Sequence, residues 1–99
     1  MDQVVPRRHV GVFAISVAAE MLSTQVQNLR VYERHGLVEP TRMPGGTRLY
    51  SHADIEKLAR VRDLLAEGLN LAGITRVLAL EAEVTRLRAA NRRLRQDSR

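Results

Sequence analysis

Apolar residues recur along most of this chain at the three- and four-residue spacing of an amphipathic helix. The pattern predicts one helix from about Val17 to Leu22 and a second from Gln25 to His35. Ser16 and the Ser23-Thr24 pair, which precede these helices, are typical capping residues. Gly36 is a natural residue to end the second helix. Two short helices joined by a tight turn predict a helix-turn-helix.

A different pattern fills residues 38–50, where turn-forming residues lie between two short β-prone arms. Gly45-Gly46 stands between Arg42 and Arg48, and Tyr50 favours a strand. A Gly-Gly pair between two such arms predicts a β-hairpin. An arginine on each arm would allow this hairpin to contact DNA as a wing.

Two more helices are predicted after the hairpin. Ser51 and Asp54 have the spacing of a capping box, with Asp in place of the usual Glu. Apolar residues then mark one helical face: Ile55, Leu58, Val61 and Leu65. Gly68 is expected to end this helix, and Asn70 to cap the next one.

The last segment has the clearest periodicity. Its seam residues step by 3, 4, 3, 4 and 3 positions: Val77, Leu80, Val84, Leu87, Asn91 and Leu94. Alternating steps of three and four are the heptad pattern of a coiled coil. Because a lone helix of this length is marginal in water, the seam predicts dimerisation. Asn91 either sets the register of the pair, as in parallel coils, or lies at a frayed end without consequence.

These elements divide the chain into three parts. We expect an N-terminal tail or lead-in strand over residues 1–12, a winged helix-turn-helix domain over 13–79 and a coiled-coil dimerisation helix over 80–99. The predicted fold class is mostly α, with one small β-hairpin. Arg7 and Arg8 in the tail would either touch DNA as an arm or be disordered.

Composition points toward an anionic partner. The 99 residues include 16 Lys or Arg against 11 Asp or Glu, a formal net charge of +5. All of these cations except Lys57 are arginines, which suit forked contacts with phosphate and guanine, although a high-GC genome would also favour arginine. Only Phe13, Tyr32 and Tyr50 are aromatic, so an aliphatic core of packed helices is expected.

Several kinds of chemistry are missing from the sequence. The absence of cysteine excludes disulfides, thiolate metal sites and thiol redox sensing. His9, His35 and His52 lie in three different predicted elements and lack the spacing of metal ligands. There is also no nucleophile–base pair and no membrane-length apolar run. We therefore expect no enzyme activity, no metal, no cofactor and no membrane partner, in a cytoplasmic protein.

Ordered motifs between Ile15 and Leu80 resemble the MerR family of bacterial regulators. Asn28-Leu-Arg-Val-Tyr-Glu-Arg-His-Gly-Leu37 is similar to the family's TLRYYE…GL recognition-helix motif. Arg42 and Gly46-Thr-Arg-Leu-Tyr-Ser51 then resemble its wing motif, GYR.YS, and Asp54-Ile55 the start of the next helix. Three positions depart from the common pattern: Asn28, Val31 and Thr47.

The resemblance implies function as well as fold. It implies a homodimer with antiparallel coils that binds an inverted repeat in double-stranded promoter DNA and is then associated with the nucleoid. Such a dimer would either repress transcription or activate it by twisting the promoter for RNA polymerase. Ile15-Ser-Val-Ala-Ala19, Gly68-Leu-Asn-Leu-Ala-Gly-Ile74 and Leu80-Glu81 are similar to the heat-shock repressor (HspR) subgroup. That similarity implies repression of chaperone genes with an Hsp70-type chaperone as corepressor.

The expected DNA contacts come mainly from the second helix. Gln25 and Gln27 lie near its N-terminus, where base contacts are made, and glutamine can pair with adenine. The family motif assigns Arg30 and Tyr32 to phosphates, with guanine as an alternative for Arg30 and core packing for Tyr32. The full set of expected DNA-binding residues is Ser16, Gln25, Gln27, Asn28, Arg30, Tyr32, Arg34, Arg42, Arg48 and Tyr50.

Two wing arginines and one acid complete the expected interface. Arg42 and Arg48 should clamp the DNA backbone beside the helix, unless they are simply solvated. Glu33 occupies the family's acidic position. We expect it to pair locally with Arg30 or Arg34, or to cap the fold.

Two other functions fit the same sequence. An excisionase-like module would use a winged helix of this kind to bend DNA for a recombinase, although excisionases usually lack a dimerisation coil. Alternatively, the basic coil would bind an acidic protein. Binding to an inverted repeat, bending of an attachment site and salt-insensitive protein binding would distinguish the three functions.

Overall fold

The fold consists of helices packed around a small sheet. The computed structural model describes residues 6–98. In chain order, its elements are a 3₁₀ turn at Arg7–His9, β1 at Phe13–Ala14, α1 at Ile15–Met21, α2 at Val26–Arg34, β2 at Thr41–Arg42, β3 at Arg48–Tyr50, α3 at His52–Ala66 and α4 at Leu71–Asp97. The predicted mostly-α fold with a hairpin wing is confirmed.

α1 begins earlier than the sequence predicted. Strand β1 runs directly into the helix, so Ala14 occupies the N-cap position and makes no side-chain cap hydrogen bond. Ser16, the expected capping residue, lies exposed within the first turn instead. The prediction failed because the strand, which fixes the entry to the helix, was not assigned as part of the sheet.

The turn between α1 and α2 uses its polar residues differently from the prediction. Ser23 adopts a left-handed conformation with φ 53°. Thr24 Oγ1 accepts a hydrogen bond from Asn28 Nδ2 at 2.9 Å, while Gln25 is the N-cap residue of α2. The tight turn expected of a helix-turn-helix is therefore present, but Ser23 shapes the turn rather than capping the helix.

The caps of the later helices agree with the sequence. Ser51 Oγ accepts from Asp54 N at 3.0 Å, and the Asp54 carboxylate accepts from Ser51 N at 2.9 Å, a complete capping box. Asn70 Oδ1 accepts from Gly73 N at 2.8 Å. Gly68, with φ 96°, lies in the turn between these helices.

The core is aliphatic and forms two clusters. The buried residues of the first, beneath the helix-turn-helix and the sheet, are Ala18, Ala19, Leu22, Leu29, Val38, Tyr50 and Leu58. Those of the second, toward α4, are Leu37, Val61, Leu64 and Ile74. Tyr32 packs against both clusters, so it anchors α2 to the whole domain.

The wing belongs to a three-stranded antiparallel sheet of order β1-β3-β2. Phe13 pairs with Tyr50, and Arg42 lies directly opposite Arg48. At the tip, Gly45-Gly46 has φ 90° at both residues, a conformation that favours glycine. The predicted hairpin is therefore correct, and the third strand is an addition to it.

The segment before β1 is packed against the domain. Its 3₁₀ turn contacts α3, where the Arg8 guanidinium pairs with Glu56. Val12 N donates to Tyr50 O at 3.0 Å, which extends the strand pairing. Over residues 6–12, the structure therefore corrects the expectation of a disordered tail, while a DNA contact by Arg7 or Arg8 remains a prediction. The expected tail at residues 1–5 lies outside the described residues.

α4 continues without interruption across the domain boundary predicted at 79/80. Ile74, near its N-terminus, is fully buried, whereas Leu80, Leu87 and Leu94 are 64%, 51% and 64% exposed. One helix therefore contributes to the core and carries the predicted seam outward. Between residues 6 and 98, no helix combines the length and apolarity needed to cross a membrane.

Gly11 lies where the lead-in segment crosses the sheet. A Cβ at this position would be 2.9 Å from both Leu49 Cβ and the Leu49 carbonyl oxygen. Gly11→Ala should therefore lower the free energy of unfolding by about 1–3 kcal/mol, because the β3 backbone cannot yield without breaking its strand pairs. Urea unfolding followed by circular dichroism measures the change.

Gly73→Ala is the matched control. A Cβ there would meet Asn70 Oδ1 at 3.4 Å, an ordinary contact. Since alanine is favoured over glycine in helices, the free energy of unfolding should rise by up to about 1 kcal/mol. Equal losses of stability in the two variants would contradict the close packing assigned to Gly11.

Candidate nucleic-acid interface

α2 presents a polar outer face on a buried apolar support. Leu29 is fully buried and Val26 packs against the same core cluster, which fixes the rotation of the helix. The exposed polar residues on and beside α2 are Gln25, Gln27, Asn28, Arg30 and Arg34. Each of these expected DNA-binding residues is therefore accessible, although their contacts with DNA remain predictions.

Glu33 joins α2 to the wing. Its Oε2 accepts a hydrogen bond from Arg42 Nη2 at 2.8 Å, and its Oε1 accepts from Arg48 Nε at 2.5 Å. The Glu33 side chain is only 16% exposed and that of Arg48 27%, whereas the Arg42 side chain is 56% exposed, so the carboxylate is shielded from water more than the Arg42 end of the bridge. One carboxylate thus brings both expected wing clamps beside the expected recognition helix.

This bridge corrects the prediction that Glu33 pairs with Arg30 or Arg34. The prediction considered only neighbours along α2, whereas the hairpin brings arginines from nine and fifteen positions further along the chain. One feature of the sequence could have indicated this bridge. Two arginines on facing arms of a hairpin repel each other and call for a nearby counter-charge.

Tyr50 does not occupy the position expected of a DNA contact. Its side chain is fully buried in the first core cluster. Burial raises the pKa of its hydroxyl, and the Glu33 charge raises that pKa further. The side chain therefore lies on the face of β3 that packs against α1, α2 and α3. The prediction that Tyr50 contacts DNA is therefore withdrawn.

Tyr32 and Ser16 lie at the edges of the predicted interface. Tyr32 is half-buried between the two core clusters, and burial raises the pKa of its hydroxyl. This position agrees with the alternative of a packed core aromatic. Ser16 is exposed, and no hydrogen bond among residues 6–98 ties its side chain to α2 or the wing. The DNA contacts expected of both residues remain predictions.

The histidines remain dispersed. His9, His35 and His52 lie respectively in the 3₁₀ turn, after α2 and at the start of α3. The His52 ring packs edge-on against Phe13 with 4.8 Å between centroids. In the described part of the chain, no three His, Cys, Asp or Glu side chains form a group that could hold a metal ion.

Comparison with known proteins identifies the family. The model of the MerR HTH family regulatory protein matches residues 13–81, which include the helix-turn-helix, the wing and the start of α4. The chain belongs to the MerR family. The matched segment is the helix-turn-helix module of that family.

Curated relatives of this MerR-family chain are transcription regulators rather than enzymes. The regulator GlnR of Bacillus anthracis is 40% identical over 79 residues, covering 80% of this chain and 61% of GlnR. A Streptomyces coelicolor protein named HspR, a heat shock protein by name, is 49% identical over 79 residues, covering 79% of this chain and 52% of HspR. The chain therefore spans between half and two-thirds of these relatives.

Solved MerR-family structures share the fold. HiNmlR, a family regulator lacking the sensor domain and bound to promoter DNA, matches with a TM-score of 0.65 and 25% identity over 71% of this chain and 54% of HiNmlR. PbrR691 of Ralstonia metallidurans, in complex with lead(II), matches with a TM-score of 0.65 and 26% identity. The match covers 85% of this chain and 78% of the PbrR691 chain.

Tyr50→Phe tests the reassignment of Tyr50 to the core. The hydroxyl is buried and has no hydrogen-bond partner among the described residues. Its removal should leave the free energy of unfolding unchanged or raise it by about 1 kcal/mol, because an unpaired buried hydroxyl is costly. Affinity for a fluorescent mixed-sequence duplex, measured by anisotropy, should not change.

Tyr50→Ala serves as the comparison for Tyr50→Phe. It removes the ring as well, so it should cost about 3–5 kcal/mol of stability by leaving a cavity. If Tyr50→Phe stayed folded but lost DNA affinity, the hydroxyl would be a DNA contact and the reassignment would be wrong.

Proposed function

We propose that this chain is a sequence-specific transcriptional regulator that binds promoter DNA as a homodimer. The observation that carries the proposal is the polar face of α2, joined through Glu33 to two wing arginines. Support also comes from the shared fold of a family regulator bound to promoter DNA. A net charge of +5 favours association with a polyanion.

The N-terminal end of α2 would enter the major groove. Helix-turn-helix proteins place this part of the second helix against base edges. Gln25 and Gln27 are exposed there, and each can offer a paired donor and acceptor to adenine. Arg30 and Arg34, further along the helix, would contact phosphates. Thr24 holds the Asn28 amide by a hydrogen bond of 2.9 Å, so Asn28 has a fixed orientation at the same surface.

Phosphate contacts from the wing would lie beside this helix. Arg42 and Arg48 are on facing strands, with side chains 56% and 27% exposed. Contacts with phosphate position a protein on DNA without reading its sequence. The wing would therefore add affinity and orientation, while α2 would supply specificity.

The exposed seam of α4 supports dimerisation. Leu80, Val84, Leu87 and Leu94 are 64%, 42%, 51% and 64% exposed, a row of large apolar side chains. A second copy of the same helix would cover this row, as in coiled coils. Excisionase-like bending does not require such a row, so the seam favours the dimeric regulator.

The charges beside the seam favour antiparallel pairing. Two acids of the exposed half of α4, Glu81 and Glu83, precede its arginines, and Asp97 follows them. Those arginines are Arg86, Arg88, Arg92, Arg93 and Arg95. In an antiparallel pair, the acidic part of each helix would face the basic part of its partner, whereas a parallel pair would align like charges.

Arg48→Ala tests the wing. Losing one phosphate contact should weaken binding to all DNA sequences and reduce the slope of log K against log salt concentration by about one unit. Anisotropy titrations at several salt concentrations measure this slope. Arg93→Ala, which removes the same charge from the far part of α4, should leave it unchanged. An unchanged slope in Arg48→Ala would exclude a phosphate contact by this residue.

Leu87→Glu tests the dimer. A charge in the middle of the seam should produce monomers, because a paired helix would have to bury it. Sedimentation velocity measures the oligomeric state, and binding to a single half-site should be weak. Gln96→Glu adds the same charge off the seam and should stay dimeric. A dimeric Leu87→Glu would contradict the assigned seam.

Repression of heat-shock genes is the regulatory role that we propose. Its support is the 49% identity to the relative named HspR, compared with 40% to GlnR. An Hsp70-type chaperone would then be the corepressor. Selection of bound fragments from the source genome tests the role. Chaperone promoters among the best fragments would support it, and enrichment of unrelated promoters would leave a MerR-family regulator of other genes, GlnR-like targets included.

A further inference from the structure

We propose that Glu33 is a positioning residue that holds Arg42 and Arg48 in the geometry in which they bind DNA phosphates. The inference rests on the proposed DNA-binding function. It begins with the register of the hairpin, in which the two arginines are direct cross-strand partners. Like charges at directly opposed positions destabilise a strand pair. Alone, the wing would push its two guanidinium groups apart.

The Glu33 carboxylate counters this repulsion from outside the hairpin. Each of its oxygens accepts from a different arginine, at 2.8 Å for Arg42 and 2.5 Å for Arg48. No other acidic side chain pairs with either arginine within residues 6–98. Since Glu33 belongs to α2, the same bridge fixes the position of both wing strands relative to the recognition helix.

The bridge leaves most of the arginine donors for DNA. A guanidinium carries five N–H donors, and Glu33 takes one from each arginine, at Arg42 Nη2 and at Arg48 Nε. The remaining donors can meet phosphate oxygens. Because the two side chains are already ordered, less conformational freedom is lost when DNA binds.

This role makes an unusual prediction about charge. Glu33 is a negative charge beside a surface that meets a polyanion, so simple Coulomb repulsion predicts tighter binding when it is removed. Positioning predicts weaker binding instead. The sign of the effect therefore separates the two explanations.

Glu33→Gln is the first variant. We expect it to weaken binding to a fluorescent mixed-sequence duplex by about tenfold and to reduce the salt slope by about one to two units, because both arginines lose their arrangement. Glu39→Gln is the matched control, since Glu39 is exposed near Arg42 and forms no ion pair in the described part of the chain. It should bind as tightly as the unsubstituted chain or slightly more tightly.

Glu33→Asp distinguishes the effect of side-chain length from the effect of charge. Aspartate keeps the negative charge but is one methylene shorter, so it cannot bridge both arginines at the present strand positions. Positioning predicts weaker binding and a smaller salt slope for this variant too, whereas a purely electrostatic role predicts no change. Thermal melting followed by circular dichroism establishes whether Glu33→Gln and Glu33→Asp are folded. If one of them fails to fold, the binding data of the other decide between the two explanations.

The double variant Arg42→Ala/Arg48→Ala tests whether Glu33 acts through these two arginines. In this background, Glu33→Gln should not reduce the salt slope further. An equal reduction in both backgrounds, or Glu33 variants that bind as tightly as the unsubstituted chain, would overturn the inference. Failure of the unsubstituted chain to bind any duplex would overturn the proposed function and this inference together.

Discussion

The bridge from Glu33 to the two wing arginines is the interaction on which the candidate DNA surface depends. Leu29 of α2 and Tyr50 of β3 lie in the same buried cluster, and β3 also pairs with β1, so core packing holds both elements from below. A further contact joins their outer faces, where we propose that the helix reads bases and the wing binds phosphates. Arg42 and Arg48 provide that contact through one shared carboxylate. We propose that a residue that looks unfavourable at a DNA surface organises that surface.

α4 imposes the second constraint. It is buried at Ile74 and exposed along Leu80, Leu87 and Leu94, so the same rigid helix belongs to the domain core and to the proposed dimer seam. The Arg60–Glu81 ion pair, with Nη2 and Oε2 2.8 Å apart, adds a further link between α3 and α4. Any dimer formed along the seam would therefore orient two reading helices without a flexible linker between them. That rigidity would select the spacing and the orientation of two half-sites.

The sequence predicted most accurately those features that depend on near neighbours. The Ser51–Asp54 capping box, the Asn70 cap and the Gly45-Gly46 turn each arise within a few residues, so local patterns were sufficient. The errors arose where distant segments meet. Pairing of β1 with β3 moved the start of α1, packing in the first core cluster buried Tyr50, and the hairpin brought Arg42 and Arg48 next to Glu33 of α2. None of these consequences is encoded in helical or strand periodicity, because each depends on a tertiary contact.

The most direct test of this account is hydroxyl-radical footprinting of the chain on its best genomic fragment. A rigid homodimer predicts two protected regions related by two-fold symmetry, centred about 10 base pairs apart or at a multiple of that spacing. The wing predicts a further protected stretch of backbone beside each region. A single asymmetric footprint, or protection without any preferred sequence, would contradict the proposal of a dimeric, sequence-specific regulator.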